Sequence, residues 1–329
     1  MSSPSATLVA GEGPAAAEHP RRPGSTRRNP ARRNGARYFA LWLLTPAGIV
    51  MAALVLVPIA FLVFTSFTDY DQRSLFTGAF DFTGFTQYTT IFTDPDFWLS
   101  VVRTVLFTAA MVIGTIAIGM GVAQLLTRLG TVMRYILTIV LVFAWAMPTV
   151  ASSQVWNWLF QPGYGVVNWM LTQLHVFGDM TNVSWANNAF LAYVCIWLLI
   201  VWGGVPFIGL TMYAAQSQVD PAYLEAARID GASEARIYWS IVLRFLRPTL
   251  LLVTILSVIW DFNVFNQIWL VSDGGPDNAT STIGIWAYKT AFVSYHVGTG
   301  AAITVVATAM LLAITAIYIR NLLRSGEDL

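Results

Sequence analysis

Lysine occurs once in 329 residues, at Lys289, and cysteine once, at Cys195. A nucleotide-binding Walker loop needs a lysine behind a glycine to reach the phosphates. Lys289 follows Tyr288, so the chain has no loop of its own for hydrolysing ATP. A single cysteine excludes an intramolecular disulfide and any multi-cysteine metal cage. Cys195, inside an apolar run, reads as packing. Charge is scarce too: 11% of residues are Asp, Glu, Lys or Arg, against about 25% in an average soluble protein. Together with 56% hydrophobic residues and a mean hydropathy of +0.62, this excludes an ordinary soluble domain. His175 and Asp179 stand four apart but have neither a third ligand nor a nucleophile beside them, so they read as a polar loop. The apolar runs hold no histidine–acid or serine–lysine set at a workable spacing, which argues against an intramembrane enzyme. No catalytic residue and no metal ligand is expected.

What the chain has is long apolar runs. A span needs about 20 apolar residues, and six runs qualify: about 38–67, 97–126, 135–160, 189–215, 248–271 and 297–319. The predicted fold class is therefore an all-α polytopic membrane protein with six transmembrane helices. Residues 1–36, rich in Pro, Ala, Ser, Gly and Arg, read as a disordered basic tail, and residues 37–329 as one membrane domain. Fifteen of the eighteen cationic side chains fall in the tail or at Arg37 directly after it, between spans two and three, in the loop 216–247 and at the C-terminus. Only Arg73, Arg103 and Lys289 remain for the other side. That asymmetry puts both termini and the loop 216–247 in the cytoplasm. Ala110, Gly114, Ala117 and Gly121 step by four, three and four along the second span, a stripe on which another helix can pack. Gly203, Gly204 and Pro206 interrupt the fourth run and predict a break there that lines a cavity or faces protein.

The loop 216–247 is the longest charged stretch after the tail. Asp220 can cap a helix whose first residue is Pro221, Gly231 can end it with a left-handed turn, and Ser233 can cap a second helix. A solvated amphipathic connector is the plain alternative. The residues Glu225, Ala226 and Ala227, then Asp230, Gly231, Ala232 and Ser233, then Ile241 and Leu243, resemble the EAA loop of the membrane subunits of binding-protein-dependent ABC importers. The resemblance implies that Glu225, Ala226, Ala227, Asp230 and Gly231 couple the chain to a cleft in a cytoplasmic ATPase subunit, Glu225 facing a basic group there. One departure is Arg244, where the family usually has proline directly after the leucine; the proline here is Pro248.

The fifth run carries SVIWDFNVFNQIWL, Ser257 to Leu270. Asp261 lies thirteen residues past Pro248, about 20 Å along a helix, and a carboxylate at that depth is a functional-site hypothesis. Ser257, Asp261 and Val264 share a face, with Trp260, Asn263 and Gln267 close by. Polar groups beside a flat apolar surface suit a hydroxyl-rich ligand. The alternative is that Asp261, Asn263 and Asn266 join helix to helix. The segments FTGFTQYTTIFTDPDFW and WDFNVFNQIWLVSDGGPDNATSTIGIWAYKTAF resemble the carbohydrate-uptake branch of the same family, most closely its larger maltose-type permease subunits.

That resemblance implies the type I ABC importer permease fold in a bacterial cytoplasmic membrane, and a midplane sugar site drawing on Gly204, Phe207, Ser257, Trp260, Asp261 and Asn266. It also implies a heterodimer with a second permease, two copies of an ATPase subunit that hold the ATP and magnesium, and an extracytoplasmic solute-binding protein. The expected cargo is a sugar, an oligosaccharide first, with glycerol-phosphate, polyol or amino sugar as alternatives. A self-sufficient secondary transporter would need an internal inverted repeat, and no second copy of the fifth-run pattern is present.

Overall fold

The computed structural model describes residues 30–175 and 177–324. They fall in two compact units, one ending at Val57 and one beginning at Pro58. The expectation of a disordered tail lies outside the described residues up to position 29. From Pro30 the chain is already helical, so the helix includes part of the predicted tail; Ala31-Arg-Arg are good helix formers.

Fourteen α-helices follow one another among the described residues. The first, α1 (Pro30–Thr65), runs uninterrupted past Pro46 and Pro58. Two short helices, α2 (Gln72–Thr77) and α3 (Thr86–Thr93), lead to the long α4 (Pro95–Arg128). Asp94 caps α4 by accepting the Asp96 N–H at 2.9 Å, with Pro95 as its first residue. Next come α5 (Thr131–Ala146), α6 (Thr149–Leu159), α7 (Val166–Gln173) and α8 (Ala189–Gln216). The polar hook comprises α9 (Pro221–Ile229) and α10 (Glu234–Ile237). A π-turn over Tyr238–Val242 carries the chain into α11 (Leu243–Phe262), followed by α12 (Asn266–Ser272), α13 (Ile283–Tyr288) and α14 (Val297–Arg324).

Among the described residues five helical stretches are long and apolar enough to cross a membrane: Trp42–Thr65, α4, α8, Glu234–Phe262 and Val297–Leu322. A sixth exists if α5 and α6 count together, for they form an apolar pair bent by 100°. The protein is thus a multi-pass membrane protein, but the third run is not the straight span expected over 135–160. Pro148 is the reason. A residue before proline is pushed out of the helical region, and Met147 accordingly adopts an extended conformation (φ −68°, ψ 127°).

The fifth run differs at both ends. Its helix continues backwards through the π-turn into α10, taking up residues assigned to the loop 216–247, and it stops at Phe262 instead of reaching 271. The helix also runs on through Pro248. At the other end the Asn263 side chain donates to the Ile259 carbonyl at 2.7 Å, the local competition with backbone bonding that makes asparagine a poor interior residue.

The interface between α4 and α8 is the most extensive between helices among the described residues. It is made by close backbone approach. A Cβ on Gly114 would overlap the Trp197 ring, one on Gly119 would come within 2.6 Å of Ile208, and one on Gly204 within 2.8 Å of Thr115. The Trp197 indole N–H donates to the Ala110 carbonyl at 2.9 Å. The small-residue stripe therefore needs correcting. Gly114 does face α8, but Ala117 and Gly121 are exposed, and the buried face runs through Thr104, Thr108, Met111, Thr115, Gly119 and Ala123. The predicted break at Gly203, Gly204 and Pro206 is also corrected, because α8 passes through all three; glycine at 204 gives room to Thr115 and not a bend. Around this pair lie two cores, one with Phe107, Met111, Cys195, Ile196 and Ile268, the other with Ala123, Ile208, Met212, Leu246 and Val253. Gly119→Val is expected to cost about 1–3 kcal/mol by overpacking, read as a lower thermal midpoint of the detergent-solubilised protein, with little change for Gly121→Val, where space is open.

Candidate functional site

The break after α11, the bend between α5 and α6, and the middle of α8 enclose one cavity of about 440 Å³. Each break has a sequence cause given above, and each presents side chains that a straight helix would have carried elsewhere. From α8 come Trp202, Gly203, Gly204 and Phe207; from the end of α11 come Trp260 and Asp261; from the break and α12 come Asn263, Phe265, Asn266 and Gln267. Of the six residues expected from sequence, Gly204, Phe207, Trp260, Asp261 and Asn266 line this one cavity. Ser257 does not: it is buried one turn earlier on α11.

Trp145, Thr149 and Ser152 complete the wall from the bent pair. Sequence reasoning missed them because it took 135–160 as one straight span; Pro148 was the signal that could have found them. The aromatic groups are contiguous. The Trp145 and Phe207 rings stack at 6.2 Å with planes 22° apart, and Phe207 meets Trp260 edge to face at 5.1 Å. The same cavity is lined by one carboxylate, Asp261, and three amides, Asn263, Asn266 and Gln267. Asp261 is only 9% exposed, and its Oδ2 has no hydrogen-bond partner among the described residues. The wall can therefore cover the C–H faces of a ligand and offer acceptors and donors to its polar edge.

The second candidate site is the hook. The Asp220 carboxylate accepts the Ala222 N–H at 2.9 Å, with Pro221 as first helical residue. At the far end Gly231 has φ +81°. The Gly231 N–H donates to the Arg228 carbonyl and the Ala232 N–H to the Ala227 carbonyl, both at 3.0 Å, which is the paired bonding of a Schellman turn. Ser233 caps α10 through the Arg236 N–H at 3.4 Å. Arg228 grips Glu234 with two hydrogen bonds, at 2.7 and 3.3 Å, across the turn, and those bonds and that charge raise the guanidinium further above its ordinary range.

No residue of α9 is buried. Glu225, Ala226, Asp230 and Gly231 are exposed and Ala227 half-buried, while Ile229 stands 86% exposed at the tip. The Tyr223 ring, 5.5 Å from Phe245, ties the hook back to α11.

His175 and Asp179 do not meet as a pair. The His175 ring bonds the Gln173 carbonyl at 2.8 Å, and Asp179 accepts the Thr181 N–H at 2.9 Å, bonding by Thr181 that holds its carboxyl below the usual range. Among the described residues no cluster of His, Cys, Asp or Glu could hold a metal.

A bundle of membrane-length helices, two of its spans broken around a polar and aromatic cavity and one short hook left uncovered, defines a helical transport protein of the membrane. Residues 114–325 match the family of binding-protein-dependent transport system inner membrane components, and the chain belongs to that family. It is 40% identical over 305 residues to the diacetylchitobiose uptake system permease protein DasB of Streptomyces coelicolor, covering 93% of this chain and 92% of that one. It is 33% identical over 286 residues to the sulfoquinovosyl glycerol transport system permease protein SmoG of Agrobacterium fabrum, covering 87% and 91%. Its fold matches a chain of a bacterial alginate ABC transporter, solved in complex with an alginate pentasaccharide-bound periplasmic protein, with TM-score 0.75 over 90% of this chain and 98% of that one at 16% identity. The type I ABC permease fold implied by the EAA-like loop is thus the fold of this chain.

Proposed function

We propose that the chain forms half of the translocation pathway of an ATP-driven importer for an oligosaccharide. The observation that carries this reading is the cavity: contiguous aromatic rings in one lining with a carboxylate and three amides, and no Arg or Lys among the lining residues. Sugars present apolar C–H faces and hydroxyl edges, which such a surface meets. A phosphate cargo would want a cation there. The likeness to a diacetylchitobiose permease makes a disaccharide of amino-sugar units the first probe.

The proposed assembly is a heterodimer with a second permease, two ATPase subunits holding ATP and magnesium, and an extracytoplasmic binding protein, in a bacterial cytoplasmic membrane. The hook of α9 and α10 docks on the ATPase through Glu225, Ala226, Ala227, Asp230 and Gly231. It is a capped, pre-formed helix pair whose outer surface the other described residues leave uncovered. ATP closure rocks the bundle, and the cavity opens to one side and then the other.

The complete importer, reconstituted in vesicles, is expected to accumulate labelled N,N′-diacetylchitobiose only with ATP and all partners present. Uphill uptake by this chain alone would overturn the reading. The cation asymmetry supports a hook inside and a turn Gly274–Thr280 outside. In a Cys195→Ala background, Ser233→Cys should therefore react with an impermeant thiol reagent only from the cytoplasmic side, and Asn278→Cys only from the other.

A further inference from the structure

The importer reading leaves one group unexplained. Asp261 is withdrawn from water, its Oδ2 has no hydrogen-bond partner among the described residues, and no Arg, Lys or His lines its cavity. The nearest amide in sequence, Asn263, donates one of its two N–H groups to the Ile259 carbonyl and carries no charge. Taking an ionised carboxylate out of water costs several kcal/mol unless a counter-charge returns it. None of the residues lining the cavity supplies one, and a cationic cargo would.

The same cavity presents the indoles of Trp145, Trp202 and Trp260 and the phenyl ring of Phe207. Aromatic faces, indole best of all, attract a cation. A carboxylate beside aromatic faces is the chemistry that recognises an ammonium group. We propose that the cavity takes a sugar unit carrying a protonated primary amine, with Asp261 as its counter-ion and specificity-determining residue. This rests on the importer reading and narrows it. A neutral acetamido sugar offers the same C–H face and one N–H donor but no charge, and an anionic sugar is repelled.

The test uses the complete importer in vesicles and two probes, the β-1,4-linked glucosamine dimer with free amines and its N,N′-diacetylated form. Each uptake rate is divided by the fraction of binding protein loaded, measured separately, so that the binding protein's own choice cancels. The wild type is expected to import the free-amine dimer about tenfold faster on this scale. Asp261→Asn is expected to erase that ratio, and Asp261→Glu, which keeps the charge, to preserve much of it. Co-purification of each variant with its partner chains establishes that it has folded. Faster import of the acetylated dimer by the wild type, or an unchanged ratio in an assembled Asp261→Asn importer, overturns the inference and leaves the oligosaccharide reading standing. Import of neither dimer, nor of any other oligosaccharide, removes both. The wild-type measurement decides the matter even if every variant fails to assemble.

Discussion

Replacing Gly231 with proline is expected to abolish ATP-driven uptake while the variant still enters the membrane. Gly231 sits at φ +81° with open space where a side chain would go, so the obstacle is the backbone and not a clash. Proline holds φ near −65° and lacks the N–H that bonds the Arg228 carbonyl at 3.0 Å. Both the left-handed turn and half of the Schellman bonding disappear, and α10 no longer folds back over α9. The Arg228–Glu234 grip cannot restore the geometry, since both side chains are half exposed and such pairs contribute little.

Graded substitutions separate shape from size. Gly231→Asn, which tolerates the left-handed region better than other side chains, should retain partial coupling. Gly231→Val carries the full penalty of about 1–2 kcal/mol and should retain less. Uptake and ATP hydrolysis, measured side by side in proteoliposomes, read the result: hydrolysis without transport is the expected signature. Glu225→Ala should show the same signature with the turn intact. Wild-type coupling in Gly231→Pro would show that the hook does not transmit the stroke.

The hook was the most legible part of the chain, because every device that shapes it is local. Asp220, Pro221, Gly231 and Ser233 each act within four residues, and the structure uses each as a cap or turn. The cavity was legible only in part. Asp261 and Trp260 were found because a carboxylate among apolar residues stands out, whatever the helix does. Trp145 and Ser152 were not, because they come together across a 100° bend that leaves α5 against α8 and carries α6 against α12. Hydropathy is blind to direction, and only Pro148 marked the spot.

The reverse error occurred in α8. Gly203, Gly204 and Pro206 suggested a break, yet the helix runs on, because a glycine in a membrane helix serves close approach as readily as bending. Gly204 receives Thr115 there. The end of α11 gave no proline or glycine to read. Asn263 turns its amide onto its own helix, a choice that spacing alone does not reveal.

Trp260→Ala is expected to lower sugar uptake about tenfold or more, the second large effect. Trp260 lines the cavity, is 50% exposed, and holds the Phe207 ring edge to face at 5.1 Å; Phe207 in turn stacks on Trp145. Its removal takes away one face of the aromatic wall and the contact that orients the next. Because Trp260 is half exposed, little packing depends on it, so stability should change far less than transport does. Trp260→Phe keeps an aromatic face and should recover much of the uptake, whereas Trp260→Leu, apolar but without a flat ring, should not. A ring that merely filled space would be replaced as well by leucine as by phenylalanine. Equal uptake in those two variants, at wild-type thermal midpoint, would assign Trp260 to packing and leave the cavity without the surface on which its reading as a sugar passage rests.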